Sequence, residues 1–103
     1  MKPLSEKQVQ QYHDVGYVIV PGVISQDEAA RLIEHYMARR AEGPKPLDYG
    51  GADENPDDPN HRYPRMLNMQ EWDKVSEALT QRAELLAITS QLIDDEPELS
   101  QTM

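Results

Sequence analysis

The stretch Asp14-Val15-Gly16-Tyr17-Val18-Ile19-Val20-Pro21-Gly22, followed by Ser25-Gln26-Asp27-Glu28, decides how the chain is read, because the residue pattern changes twice inside it. Ahead of it, Leu4-Ser5-Glu6-Lys7-Gln8-Val9 opens a helix: Ser5 caps the amide of Gln8, Gln8 reaches back, and Leu4 staples onto Val9. That helix begins at Glu6 and has room for about ten residues before Gly16, a residue suited to the left-handed position after a last turn. Tyr17-Val18-Ile19-Val20 is then a β-branched and aromatic run closed by Pro21-Gly22, which predicts a short buried strand and a turn.

Beyond the turn the helical pattern returns. Ser25 is the cap, Glu28 its capping-box partner, and Ala29, Leu32, Ile33, Tyr36 and Met37 form one apolar face. Arg31, Glu34, Arg39 and Arg40 fall on the other side, and Gly43-Pro44 ends the helix. Residues 43–64 are rich in Pro, Gly, Asp and Asn without periodicity, which predicts a surface loop. Loops longer than roughly 12 to 15 residues are commonly lids, binding loops or linkers. Arg65 to Met69 reads as a short extended stretch. Asp73 caps a helix through Val75, Ala78 and Leu79 that breaks near Thr80 or Gln81. A further helix from about Arg82 carries Leu85, Ile88 and Leu92 on one stripe, with Ala83 and Leu86 beside it. Asp94-Asp95-Glu96-Pro97 ends it, and Leu99 to Met103 alternates as a strand does.

A chain of 103 residues holds one domain. With 38% hydrophobic residues, no Phe and a single Trp, its core is expected to be thin and, standing alone, marginal. The net charge of −9 argues against nucleic-acid and anionic membrane partners, and solubility is the plain account of it. Without cysteine there is no disulfide, thiolate metal site or cysteine nucleophile. No signal-length or membrane-length apolar run occurs, so a cytoplasmic location is expected.

The order helix, Asp14-x-Gly16-Tyr17-x-x-x-Pro21-Gly22, Ser25-x-x-Glu28, second helix resembles the opening of the phytanoyl-CoA dioxygenase family. Tyr63-Pro64-Arg65-Met66-Leu67-Asn68 ahead of Trp72, a helix pair, and Gln101-Thr102-Met103 as a Gln-x-Met strand start are similar to the middle of the same N-terminal region. The resemblance therefore spans nearly the whole chain, and each of its parts marks a scaffold, not a chemistry. It implies an α+β fold, mainly helical in this chain, with N-terminal helices and short strands that flank a double-stranded β-helix, or jelly roll, in the intact fold. Residues 1–42 would be helix-strand-helix, 43–64 an acidic Pro/Gly-rich loop, and 65–103 a helix pair and the start of a core strand.

The resemblance further implies an oxygenase that uses iron(II) and 2-oxoglutarate to hydroxylate or halogenate a small organic substrate. Two histidines and a carboxylate on one face of such a metal leave positions for the cosubstrate and oxygen. This chain departs from that pattern. His13, His35 and His61 are followed two positions on by Val15, Met37 and Tyr63, so none opens a His-x-Asp pair. The expectation is an inactive N-terminal portion with no catalytic or metal residue, whose partner is a missing C-terminal catalytic part or a second copy of itself. Gln101 is its one candidate cosubstrate contact, since relatives carry a Gln there and an amide both donates and accepts.

The remaining chemistry-bearing side chains have plainer readings. His13 and His35 are packed or solvated helix residues, and His61, in the loop, is a substrate contact only in an intact enzyme. Asp53, Glu54, Asp57 and Asp58 lack the alternating spacing of a calcium loop. Tyr12, Tyr17 and Tyr36 read as packing residues and Trp72 as an anchor for the helix after it, while Arg65 and Asn68 lie near a substrate entrance or serve as caps. The competing reading is a stand-alone helical interaction or self-association module whose apolar stripes and unpaired strand bind a partner.

Overall fold

The structure is a computed structural model that describes residues 2–45, 48, 57, 59, 63 and 65–103. The loop expected over 43–64 lies largely outside the described residues, as do His61, Asp53, Glu54 and Asp58. In chain order the elements are α1 (Glu6–Val15), α2 (Gln26–Ala41), a 3-10 turn (Met69–Glu71), α3 (Lys74–Thr80) and α4 (Ala83–Ile93). Among the described residues no helix is long and apolar enough to cross a membrane.

Local chemistry explains each helix boundary. Ser5 accepts from the Gln8 amide while Gln8 Oε1 accepts from the Ser5 amide at 2.9 Å, a complete capping box. Gly16 closes α1 at φ 86°, a region open to glycine at little cost, and its amide returns to the Tyr12 carbonyl at 2.8 Å. Ser25 caps α2 through the Glu28 amide at 3.1 Å. Asp73 caps α3 through the Ser76 amide at 2.9 Å. Asp94 ends α4 in the left-handed region at φ 53°, a position more at ease with glycine. Replacing Ser25 with Ala should cost about 1 kcal/mol, because among the described residues the amide it satisfies has no other side-chain acceptor. Thermal melting of the variant checks this, and an unchanged midpoint would mean that the cap is idle.

The expected α+β fold is corrected. Among the described residues no strand forms, and the chain is helical with irregular connections. Tyr17 to Val20 is irregular: its exposure alternates as in a strand, but among the described residues no second strand lies beside it to complete a ladder. Arg65 is an isolated bridge position, Leu67 and Asn68 are in a turn, and Leu99 to Met103 is irregular as well. The C-terminal segment is tied down instead by Asn68, whose amide donates to the Thr102 carbonyl at 3.0 Å and whose Oδ1 accepts from the Thr102 amide at 3.3 Å.

Packing is sparse. α1 lies against α4, and α3 folds back on the 3-10 turn. Only Leu4, Met69 and Ile88 among the described apolar residues are buried, whereas Val15, Tyr17, Ile19, Ile33, Met37 and Met103 stand exposed. A radius of gyration of 16.6 Å, against about 13 Å for a well-packed chain of 100 residues, fits a layer of helices around a thin core.

Candidate functional site

Among the described residues the densest polar chemistry converges on Asp73. The 3-10 turn sends its chain into α3 through the Asp73 amide, which donates to the Met69 carbonyl at 2.7 Å, and this buries the carboxylate beside α2. The donors around that carboxylate then come from α3 and α2. Ser76 supplies its amide at 2.9 Å and its hydroxyl at 2.7 Å. His35 Nε2 lies 2.9 and 3.0 Å from the two carboxylate oxygens, and Arg39 Nε donates at 3.1 Å. Spacing produces this: His35 and Arg39 are four apart on α2 and share a face, while Tyr36 turns to the neighbouring side and meets Ser76 Oγ at 2.8 Å.

Burial alone would raise the Asp73 carboxyl. The bonds from the Ser76 hydroxyl, from His35, from the Ser76 amide and from Arg39 outweigh it and hold the group down at about 2. Asp73 is therefore an anion at neutral pH and can only accept, which places a proton on His35 Nε2. Arg39 is shared with Glu42, the largest influence raising its own pKa, with Asp73 second. Lys45 bonds Glu42 in turn at 3.0 Å, and its ammonium lies 5.3 Å from the Trp72 ring centre.

Two shallow clefts flank this hub. One, of about 400 Å³, is mainly apolar, with Met66, Met69, Leu79 and Met103 on its walls beside Tyr36 and Ser76. The other, of about 600 Å³, is lined by Glu28, Arg31, Leu32, His35, Val75 and Arg82. There Arg82 Nη2 donates to Glu28 at 2.7 Å, so the carboxylate expected to complete the α2 capping box is drawn to Arg82, at the entry to α4, instead. That bond is the main cause that lowers Glu28 and raises Arg82.

The arrangement is a clamp and not a nucleophile. Ser76 Oγ faces a carboxylate and a phenol, among the described residues no imidazole is placed to take its proton, and the His35 nitrogen that reaches this network is spent on Asp73. Nor do these residues fit an iron centre. Among the described residues no group of three His, Asp or Glu side chains is placed to hold a metal ion, and the oxygens of Asp73 are already taken by four donors. Gln101 is exposed in the irregular C-terminal segment and is not on the wall of either cleft, whereas its neighbour Thr102 is.

His35, read from sequence as a packed or solvated helix residue, is packed, and Asp73 is the cap expected of it. What the sequence reading missed is that one carboxylate does both jobs, capping α3 and receiving α2. The His35/Arg39 spacing is the signal that would have shown α2 presenting two donors on one face. Trp72 does sit at the entry to α3, although it is partly exposed. No protein family, curated protein or solved structure matches the chain.

Proposed function

We propose that this chain is a non-catalytic helical bracket, the N-terminal portion of a cytoplasmic iron(II)/2-oxoglutarate oxygenase of the phytanoyl-CoA dioxygenase family. The observation that carries the reading is the mismatch between framework and cover. The helix ends are specified by caps and α2 is locked to α3 through Asp73, yet Ile33 and Met37 on α2 and Met103 beside the apolar cleft remain exposed. Side chains held that firmly and left uncovered suit a surface that leans on another body. On this reading the ligands for iron and the groups that hold 2-oxoglutarate belong to that body, and this chain positions it. The motif of residues 14–28 supplies the family name.

Two measurements test the proposal. The coding sequence beyond Met103 should continue in frame to a His-x-Asp pair and a distal His, and a stop codon in its place would overturn the reading. The 103-residue chain, titrated anaerobically with iron(II) and 2-oxoglutarate, should bind neither specifically. A tight iron site within it would show that the histidines had been misjudged. The stand-alone interaction module remains the second reading, favoured by the exposed Tyr17 and Ile19 of the segment from Tyr17 to Val20.

A further inference from the structure

The longest stretch of the sequence without a charged side chain runs from Val15 to Gln26. It is also where exposed apolar side chains gather: Val15, Tyr17, Ile19 and Ile24 are all open to solvent, Ile19 at 75% and Tyr17 at 60%. Within it the backbone of Tyr17 to Val20 makes no hydrogen bond with any other part of the chain among the described residues. Val18 and Val20 are half-buried while Tyr17 and Ile19 face out, so the segment already has the two-residue alternation of a strand. Its backbone is open to pairing.

From these features we infer that Tyr17 to Val20 is a β-pairing edge whose occupant is the same segment of a second copy of this chain. Charge selects that occupant. Each copy carries −9, so most approaches set like charges against each other, and the uncharged run is the place where two copies can meet without doing so. A basic partner, by contrast, would be drawn to the acidic surfaces elsewhere and would gain nothing from a neutral segment. The sequence is also self-complementary about a two-fold axis at Val18. In that antiparallel register Tyr17 stands opposite Ile19 of the copy, an aromatic and β-branched pair repeated by symmetry. Tyr17 and Ile19 exchange amide and carbonyl bonds with their opposites, four in all. The next bonded pair would be Val15 with Pro21, and the ladder ends before it because Pro21 has no amide to give and Val15 is the last residue of α1. This inference needs only residues 15–26 and does not rest on the oxygenase reading, which draws on α2 and the C-terminal cleft.

So short a ladder makes a weak dimer, and the test is built for one. Sedimentation equilibrium of the full chain from about 10 μM to about 1 mM, with hydrogen exchange at both ends of the range, should show monomer passing to dimer. The Tyr17 and Ile19 amides should gain protection only at the high concentration. Added salt should strengthen the association, because it screens the repulsion of two acidic copies. Ile19→Pro removes an amide that bonds nothing in the monomer, and Ile19→Glu keeps the amide while adding charge. Both should leave helical circular dichroism unchanged and raise the dissociation constant by about tenfold or more. A chain that stays monomeric at about 1 mM overturns the inference, and so does a dimer that survives in both variants.

Discussion

Asp73→Ala should be the most damaging single substitution in this chain, lowering stability by about 3 to 5 kcal/mol. The residue is 3% exposed, and its carboxylate receives the Ser76 amide and hydroxyl, His35 and Arg39. Its removal takes the shared acceptor from all four donors, leaving Arg39 only Glu42 and the Ser76 hydroxyl only Tyr36 among the described residues, and it uncaps α3 in the same step. Unfolding free energies of whole domains are about 5 to 15 kcal/mol, so a chain with this thin a core is expected to lose its cooperative urea transition at room temperature. Asp73→Asn separates the two roles. It keeps an N-cap oxygen but loses the charge, and should cost less than Ala, about 2 to 3 kcal/mol. A Tyr36→Phe variant, which gives up only the bond to Ser76, should cost about 1 kcal/mol. If Asp73→Ala unfolds at the wild-type urea concentration, the network is decoration on a fold held by something else.

The same carboxylate fixes how stability responds to acid. Its pKa falls from an ordinary 3.8 to about 2 in the folded chain, so the folded state holds the proton less tightly than the unfolded one. The contribution is therefore complete above pH 3.8 and is lost as pH drops towards 2. Over that window it amounts to about 2 kcal/mol, since each tenfold change in proton affinity corresponds to about 1.4 kcal/mol. Asp73→Asn should flatten the acid limb of the stability profile by that amount and leave the profile near neutrality parallel to that of the wild type. An acid limb unchanged in the variant would place the titrating group elsewhere.

What was legible in the sequence, and what was not, divides along the range of the interactions. Ser5, Gly16, Ser25, Asp73 and Asp94 act on amides and carbonyls within a few residues, so reading them in order recovered the helix boundaries to within a residue or two. Strands are different. Tyr17 to Val20 has the composition of a strand, but a strand exists only with a neighbour to bond, and no composition supplies the neighbour. The polar hub was half visible for the same reason: Asp73 as a cap is local, whereas His35 and Arg39 reach it across 38 and 34 positions of sequence. Glu28 shows competition between the two ranges. Its capping-box role was written in the local pattern, and Arg82, 54 positions away, took the carboxylate.

Gln91 belongs to no motif, yet its loss should release α1 from the rest of the molecule. The side-chain amide of Gln91 bonds the backbone of Leu4 on both sides, with Oε1 accepting from the Leu4 amide at 2.8 Å and Nε2 donating to the Leu4 carbonyl at 2.9 Å. Leu4 is itself among the few buried apolar residues, so its peptide groups have little water to fall back on. Gln91→Ala therefore strands a donor and an acceptor together, at a cost of about 2 to 4 kcal/mol. Because α1 is held chiefly by α4 and this clamp, the damage should be local and not global. Hydrogen exchange should show the α1 amides from Val9 to Gly16 losing protection at least tenfold while the Ser76 amide keeps its own. Gln91→Glu supplies the acceptor without the donor and should fall between wild type and Ala. Equal loss of protection in α1 and α3 would mean that the helices unfold as one unit, and that the Leu4–Gln91 clamp is no boundary between them.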